Sequence, residues 1–282
     1  MLYNTRTDLA SEARKLLSPE IGEEQGIIAR EETLDGLPVV AVEIISDTGA
    51  KALGKPQGKY YTLTLPPRFE RGAPDFSAAA RAVGALIRRC APSGVTDCLI
   101  AALGNPDITP DALGTLAAES VLVTRHLKRH AVPGFDALSS MALCRTGVLG
   151  TTGVESAAQL RALTREVSPE LIIAVDALAG CEVEGLCRTV QISSGGIAPG
   201  SGVGNDREVL SRESLGVPVV AVGVPTVIDA AAFAPDEGLR GMFVTPRDID
   251  ALVRAAGRVV GYGINLALNP DISVEDIDLL VG

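Results

Sequence analysis

The sequence predicts a single α/β domain, in which helices cover both faces of a mostly parallel, mixed central sheet. Short apolar runs that are typical of buried strands alternate with segments whose apolar residues recur at helical spacing. Two early strand-like runs, 37–45 and 60–65, are joined by a Gly- and Lys-rich connection and can add an antiparallel edge. No linker or internal repeat interrupts the 282 residues, so we expect one domain rather than two.

Each predicted element follows from its local pattern. Strands are predicted where apolar residues run together between turn formers, at 37–45, 60–65, 97–103, 170–177, 187–193 and 217–224. Helices are predicted where apolar residues recur at helical spacing, at 75–90, 110–122, 156–167, 225–233 and 246–268. Because strands and helices alternate, most strands should run parallel, with their carboxyl ends at the same edge of the sheet.

The composition argues against nucleic-acid binding and membrane insertion. The formal net charge is −10, which disfavours contact with a phosphate backbone, and aromatic residues make up only 3% of the chain, with no Trp for base stacking. The N-terminus lacks the apolar stretch of a signal peptide, and no run reaches the roughly 18 apolar residues of a membrane span. We therefore expect a cytoplasmic protein without direct contacts to nucleic acid or membrane.

The cysteines and histidines predict reduced thiols and no metal site. The five cysteines form no CxxC pair and their number is odd, which fits a reducing compartment. The two histidines, His126 and His130, would share a helix face, but the glutamate of an HExxH motif is missing between them. Cys144 and Cys181 have no histidine nearby in sequence, and no GxSxG elbow is present, so a cysteine or serine nucleophile is not favoured.

Two aspartates, Asp111 and Asp176, lie at the ends of predicted buried strands. Asp111 belongs to "GNPDITPDALG", just past the run 97–103, and Asp176 ends the run "LIIAV". Each would serve simply as a cap of the next turn or helix, and Thr109 with Pro110 suits a helix start beside Asp111. The alternative is a catalytic role, because ligands of open α/β sheets bind in the crevice beyond the carboxyl ends of the strands.

If the two strands are neighbours, both carboxyl groups converge on one crevice. Two close carboxylates cannot both ionise easily, so one of them keeps a proton. The charged member can then activate a water molecule against a peptide carbonyl, while the protonated member polarises the carbonyl oxygen or protonates the leaving amine. Such a pair titrates as a unit, and the sequence leaves open which aspartate holds the proton.

A Gly-rich stretch at 193–208, "SSGGIAPGSGVGNDRE", is a further candidate site. Its "GSGVG" suggests a phosphate cradle, although it matches neither GxxxxGK[ST] nor GxGxxG. The alternative is a loop whose backbone donors line the crevice.

Several motifs together carry a resemblance to a known family. The segments "ALGNPDITPDALG", "IIAVDALA", "VQISSGGIAPGSGVGNDRE" and "LGVPVVAVGVPTVIDA" closely resemble the germination proteases of spore-forming bacteria, in the same order and over nearly the whole chain. The resemblance implies an atypical aspartic endopeptidase whose α/β fold is related to that of the hydrogenase-maturation endopeptidases. It assigns the catalytic roles to Asp111 and Asp176. It also implies small acid-soluble spore proteins as substrates, a homotetramer, and a location in the forespore or spore core.

The N-terminal stretch "RTDLASEA" resembles the propeptide junction of the same family, which implies a zymogen that processes itself. Cleavage sites of the family are implied to contain Thr or Glu, an acidic residue, Phe or Ile, and Ala, and "TDLA" has a similar order. We predict self-cleavage between Asp8 and Leu9, which divides the chain into a propeptide of residues 1–8 and a peptidase domain of residues 9–282. An ordinary helix N-cap at Thr7 or Asp8 is the alternative.

Two other functions stay open at this point. A metal-assisted peptidase on the same scaffold would use Asp111 and Asp176 as ligands, but no clear third ligand is found, so we expect neither a catalytic metal nor another cofactor. A non-catalytic regulatory module would instead hold an anion at the Gly-rich loop and use the aspartates as caps.

Overall fold

The computed structural model describes residues 7–17, 24–200, 207–233, 237–239 and 241–281. The strands are β1 (Ile27–Leu34), β2 (Leu37–Ile44), β3 (Gly58–Thr64), β4 (Asp97–Leu103), β5 (Ser140–Gly147), β6 (Leu171–Gly180), β7 (Thr189–Ser193), β8 (Val219–Asp229) and β9 (Phe243–Val244). The α-helices are α1 (Ala10–Lys15), α2 (Asp47–Leu53), α3 (Phe76–Cys90), α4 (Leu113–Ala118), α5 (Arg125–Arg129), α6 (Leu149–Thr152), α7 (Ser156–Val167), α8 (Arg212–Leu215), α9 (Ile249–Leu268) and α10 (Val274–Val281).

Within these ranges the strands form one nine-stranded mixed sheet, in the order β1-β2-β3-β7-β8-β6-β4-β5, with β9 paired to β8. Strands β5, β4, β6 and β8 run parallel to one another. Strands β1, β2, β3 and β7 are joined by antiparallel pairings, and β7 meets β8 antiparallel. The predicted single α/β domain with a mixed sheet is confirmed, although its antiparallel part is wider than the edge expected from 37–45 and 60–65.

Helices cover both faces of the sheet because its central strands are apolar on both sides. Ile100 of β4 and Ile173 of β6 belong to the core under α3, α4 and α9. Their neighbours Leu99 and Ile172 point the other way, into the core under α7 and α8, as alternating strand residues must. A third, smaller core joins α1 and α2 to β2 and β3. Burial on both faces explains the continuous apolar runs from which β4 and β6 are predicted.

The helix predicted at 225–233 is wrong. Strand β8 continues to Asp229, and only Ala230–Ala232 forms a short 3-10 turn. The strand is paired to β6 along most of its length and to β9 at its end. The β-branched residues that follow Pro225 favour extended backbone, and this pairing outweighs the helix-start signal of the proline.

The helix predicted at 110–122 is shorter than expected. It begins as a 3-10 turn at Thr109–Asp111 and continues as α4, which ends at Ala118. The remaining residues are tied to α9 instead, because the Asn265 side chain accepts from the Leu122 N–H (2.9 Å) and donates to the Ser120 carbonyl (2.7 Å). Strands β1 and β5 are not predicted from the sequence. Most of their residues are exposed or only partly buried, so their apolar pattern is weak.

All five cysteines are free thiols, as their spacing predicts. Burial raises the pKa of the Cys98 and Cys187 thiols, which keeps them protonated and unreactive. In the parts of the chain that the structure describes, no helix combines the length and apolar character needed to cross a membrane.

Candidate active site

Strands β4 and β6 are parallel neighbours, so the sites predicted at their ends lie side by side. Their pairing ends where Ala102 lies opposite Val175. The chain of β4 then leaves the sheet, whereas β6 runs on to Gly180. Asp111 lies in the turn after β4, and Asp176 is the first β6 residue beyond this pairing. The neighbouring strands on which the predicted pair depends are therefore present.

The turn that carries Asp111 folds back onto the end of β4. Gly104 has a φ of +93°, and a Cβ atom there would lie 1.9 Å from the Asp111 carbonyl oxygen, so only glycine fits. The Asp111 carboxylate accepts a hydrogen bond from the Asn105 N–H (2.8 Å). The Thr226 hydroxyl of β8 donates to the Pro110 carbonyl (2.7 Å). These contacts fix the position of the Asp111 side chain.

The capping interpretation of Asp111 is wrong. Neither the 3-10 turn Thr109–Asp111 nor α4 is capped by the side chain of its N-cap residue. The Asp111 carboxylate is bonded backward to Asn105 rather than forward to α4. Asp107, in the same turn, is exposed, and its N–H donates to the Asn105 side chain (3.0 Å).

Asp176 is a buried carboxyl group in the middle of the sheet. Only 4% of its surface is exposed. It lies opposite Gly223 of β8, and its carboxylate accepts from the Ala177 N–H (3.0 Å). Ionising a carboxyl group in such a place is unfavourable unless charged or hydrogen-bonding partners compensate. Its surroundings therefore favour the protonated form.

Asp111 and Asp176 line the same cavity, which has a volume of about 360 Å³. Asp8 and Arg207 also line it. The remaining lining is largely apolar and includes Leu103, Ile108, Val148, Leu178, Val227 and Phe243. A concave, mostly apolar site with a few convergent polar groups is typical of a substrate-binding cleft.

Burial and mutual repulsion push the two aspartates toward sharing one proton. Desolvation raises the pKa of Asp176 well above its ordinary value, and the nearby negative charge of Asp111 raises it further. Desolvation also raises the pKa of Asp111, but the Asn105 N–H and the Arg207 guanidinium oppose that shift. These surroundings favour the proton on Asp176 and the negative charge on Asp111.

Asp8, the residue before the peptide bond predicted to be cut, lines the same cavity. The Asp8 N–H donates to the Ala179 carbonyl of β6, and the Ala179 N–H donates to the Asp8 carboxylate, both at 2.9 Å. Leu9 is 1% exposed and is the N-cap residue of α1, without a side-chain cap. The Thr7 hydroxyl donates to the Glu12 carboxylate. The helix-cap interpretation of Thr7 and Asp8 is therefore wrong.

The Gly-rich stretch 193–208 borders the cavity. Its proposed phosphate cradle begins at Gly200, and residues 201–206 lie outside the described residues. Pro199, Gly200 and Arg207, which flank them, line the cavity together with the aspartates. The described ends of the stretch thus belong to the candidate active site.

Among the residues that the structure describes, no group of three or more His, Cys, Asp or Glu side chains is placed to hold a metal ion. His126 lies in α5 and His130 directly follows it, and neither lines the aspartate cavity.

Three residues at the site are missed by the sequence reasoning. Arg207 lines the cavity, and its charge lowers the pKa of both aspartates. Lys55, in the connection after α2, and Gln191, in β7, both donate to the Asp8 carbonyl oxygen at 2.9 Å. No local pattern marks Lys55 or Gln191, because their neighbourhood arises only from the tertiary fold. Arg207 is the penultimate residue of the Gly-rich stretch 193–208, and this stretch is the sequence signal that points to it.

A model of the germination protease family matches residues 5–239. The chain belongs to the germination protease family. The germination proteases of Caldanaerobacter subterraneus subsp. tengcongensis and Clostridium perfringens (strain ATCC 13124) are 37% and 34% identical to it, and the alignments cover 100% and 98% of this chain and 99% of each relative. The germination protease of Bacillus mycoides is 40% identical, over 83% of this chain and 66% of the relative.

Membership of the germination protease family confirms the resemblance drawn from the motifs and makes the chain an endopeptidase. The structure is also similar to that of the NiFe hydrogenase maturation protease HycI from Thermococcus kodakarensis KOD1. That comparison covers 62% of this chain and 94% of the other, with 20% identity and a TM-score of 0.38. A likeness of this size carries no argument about function.

Proposed function

We propose that the chain is a self-processing endopeptidase that degrades small acid-soluble spore proteins during spore germination, with Asp111 and Asp176 as its catalytic pair. The observation that carries the proposal is the single cavity lined by both aspartates and by Asp8, the residue before the predicted cleavage bond. Relatives that are called germination proteases, and that align over almost their whole length, support the role in germination.

The two aspartates take different roles because their surroundings differ. Asp111 accepts a backbone N–H and lies near Arg207, so it is the better carrier of the negative charge and acts as the general base. Asp176 is more deeply buried and is repelled by Asp111, so it holds the shared proton and acts as the general acid.

In the proposed reaction, Asp111 takes a proton from a water molecule, and the water oxygen attacks the carbonyl carbon of the peptide bond. The proton of Asp176 passes to the leaving amide nitrogen, and the C–N bond breaks. The products are a carboxyl group and an amine. One proton remains on the pair, now on Asp111, and its return to Asp176 restores the starting state.

The same site would first act on its own chain. We propose residues 1–8 as a propeptide and residues 9–282 as the peptidase domain, with the cut between Asp8 and Leu9. Because Asp8 uses both the N–H and the carbonyl of Ala179, a substrate strand cannot pair with that residue until this segment leaves. The homotetramer and the spore-core location rest on the family resemblance and stay predictions.

The proposal is tested by digesting a purified small acid-soluble spore protein with wild type, Asp111→Asn and Asp176→Asn. Each substitution keeps the side-chain shape and removes the acid or base, so we expect a loss of about 10²–10⁴-fold in cleavage rate. Asp107→Asn is the matched control, because Asp107 is an exposed aspartate of the same turn. It should cut at the wild-type rate.

Three outcomes would contradict the proposal in different ways. Wild-type rates in both folded aspartate variants would exclude the aspartate pair. Loss of wild-type activity in a chelator, with recovery on adding a divalent metal, would favour the metal-assisted alternative. No cleavage of the spore protein by the wild type, after removal of residues 1–8, would exclude the proposed substrate.

A further inference from the structure

We propose that Lys55 and Gln191 are catalytic residues of the self-cleavage, which hold the Asp8 carbonyl oxygen and stabilise the negative charge that develops on it. The inference rests on the proposed function, since it takes the Asp8–Leu9 bond as the one that is cut. It adds to that function the donors that the aspartate pair itself does not supply.

The first observation is the pair of donors on one carbonyl oxygen. The Lys55 ammonium and the Gln191 side-chain amide both lie 2.9 Å from the Asp8 carbonyl oxygen. The Lys55 ammonium also lies 3.3 Å from the carbonyl oxygen of Thr7. Donors aimed at the reacting oxygen of a peptide bond form the arrangement that stabilises a tetrahedral intermediate in acyl transfer.

The second observation is that Gln191 contacts the chain on both sides of the bond. Its amide nitrogen donates to the Asp8 carbonyl, and its amide oxygen accepts from the Ala10 N–H at 2.6 Å. One buried side chain of β7 therefore fixes the peptide before and after Leu9. Holding both sides keeps the bond in a defined orientation while a nucleophile approaches.

The third observation is that Asp8 lines two cavities. One is the cavity of Asp111 and Asp176. The other, of about 630 Å³, is lined by Lys55 and Gln191 as well as by Asp8. In the proposed step, the attacking water molecule comes from the first cavity, while the two donors that line the second hold the carbonyl oxygen.

The charge of Lys55 suits this role. Burial lowers the pKa of Lys55, and the carboxylates of Asp8 and Glu12 oppose that shift. A positive charge that is poorly solvated interacts more strongly with a developing oxyanion than one in bulk water does. Glu12 is itself buried and bonded to the backbone N–H of Cys181 (2.8 Å), which keeps it in place near Lys55.

The water oxygen adds to the Asp8 carbonyl carbon while Asp111 takes the water proton, and the carbonyl becomes an oxyanion held by Lys55 and Gln191. The oxyanion then collapses, the bond to the Leu9 nitrogen breaks, and that nitrogen takes the proton of Asp176. Neither Lys55 nor Gln191 gains or loses a proton.

The test is the first-order rate of self-cleavage, followed by intact mass after refolding the full-length chain. Lys55→Met removes the charged donor at similar length and should slow cleavage about 10²–10³-fold. Lys55→Arg keeps the charge and should recover part of the rate. Gln191→Glu keeps the acceptor for Ala10 but removes the donor, and should also slow cleavage. Lys59→Met, at an exposed lysine of β3, is the control and should leave the rate unchanged.

The outcomes separate this inference from the proposed function. If the wild type cuts after Asp8, and Lys55→Met and Gln191→Glu cut at rates within about twofold of it, the inference fails and the aspartate pair stands. Equal slowing in Lys55→Met and Lys55→Arg would overturn the role of the charge. If the wild type does not cut at all, the self-processing function fails and the inference with it. Thermal unfolding identifies any variant that does not fold. If the variants at one donor position, Lys55 or Gln191, do not fold, the cleavage rates of the folded variants at the other position test the inference.

Discussion

The two halves of the sheet contribute differently to the site. The parallel half supplies the acids, because Asp111 follows β4 and Asp176 lies in β6. The antiparallel half supplies the donors, because Gln191 lies in β7 and Lys55 lies in the connection between α2 and β3. The N-terminal segment with Asp8 lies between them and bonds to both. In the proposed mechanism, the crevice of the parallel half therefore provides the proton chemistry, and the antiparallel half holds the peptide.

The largest effect is expected when the acids of the parallel half are changed, singly or together. If Asp111 and Asp176 act as one unit, as proposed, the double variant Asp111→Asn/Asp176→Asn should lose about as much activity as either single variant. Initial rates on a small acid-soluble spore protein measure this. A double variant whose loss equals the product of the two single losses would show that the aspartates act independently.

The next effect concerns the turn that positions Asp111. Gly104→Ala adds a Cβ atom 1.9 Å from the Asp111 carbonyl oxygen at a φ of +93°, so the turn must move. A displacement of about 1 Å lowers rates by about 10²-fold, and we expect a loss of that order. Gly150→Ala is the control, since nothing lies within 4 Å of a Cβ atom at that helical glycine. Comparable losses in both variants would mean that the Asp111 turn has no special role.

A smaller effect concerns stability and its dependence on pH. The pKa of Asp176 is raised in the folded protein, so the wild type loses stability as the pH rises through that pKa. Asp176→Asn removes this penalty and should unfold a few degrees higher at neutral pH. The difference should vanish below about pH 4, where the aspartate is protonated in both states. Unfolding temperatures of the wild type and of Asp176→Asn, measured from below about pH 4 to neutral pH, check the sign of this stability difference. An Asp176→Asn variant that is less stable than the wild type at neutral pH would contradict the raised pKa of Asp176.

The smallest effect concerns Arg207. Its charge opposes the rise in the pKa of both aspartates, so Arg207→Met should raise the pKa of Asp111, the proposed general base, still further. The acidic limb of the pH–rate profile should move to higher pH by less than about one unit. Arg212→Met, at an exposed arginine of α8, is the control and should leave the acidic limb at its wild-type pH. Movement to lower pH would assign the limb to another group.

The sequence predicts the parallel half better than the antiparallel half for a physical reason. Strands β4 and β6 are buried on both faces, so each gives a continuous apolar run, and an aspartate at the end of such a run is conspicuous. β1 is largely exposed and gives no such signal. The helix predicted at 225–233 is wrong because β8 pairs with β6 there, and this pairing outweighs the helix-start signal of Pro225.

The presence or absence of a local sequence signal also decides which residues of the candidate site can be predicted. Asp111 and Asp176 can be predicted because each is marked by the strand that precedes or contains it. Lys55 and Gln191 cannot, since an ordinary lysine in a connection and a glutamine in a strand acquire meaning only from their shared contact with Asp8. The raised pKa of Asp176 likewise results from burial and from its neighbour Asp111, and the linear sequence shows neither.

Self-processing is tested most directly by the intact mass of the refolded full-length chain and of its Asp176→Asn variant, after incubation at mildly acidic pH. We expect the wild type to lose residues 1–8 and begin at Leu9, while Asp176→Asn keeps its full mass. An intact wild type, a cut at another bond, or the same cut at the same rate in Asp176→Asn would contradict this expectation.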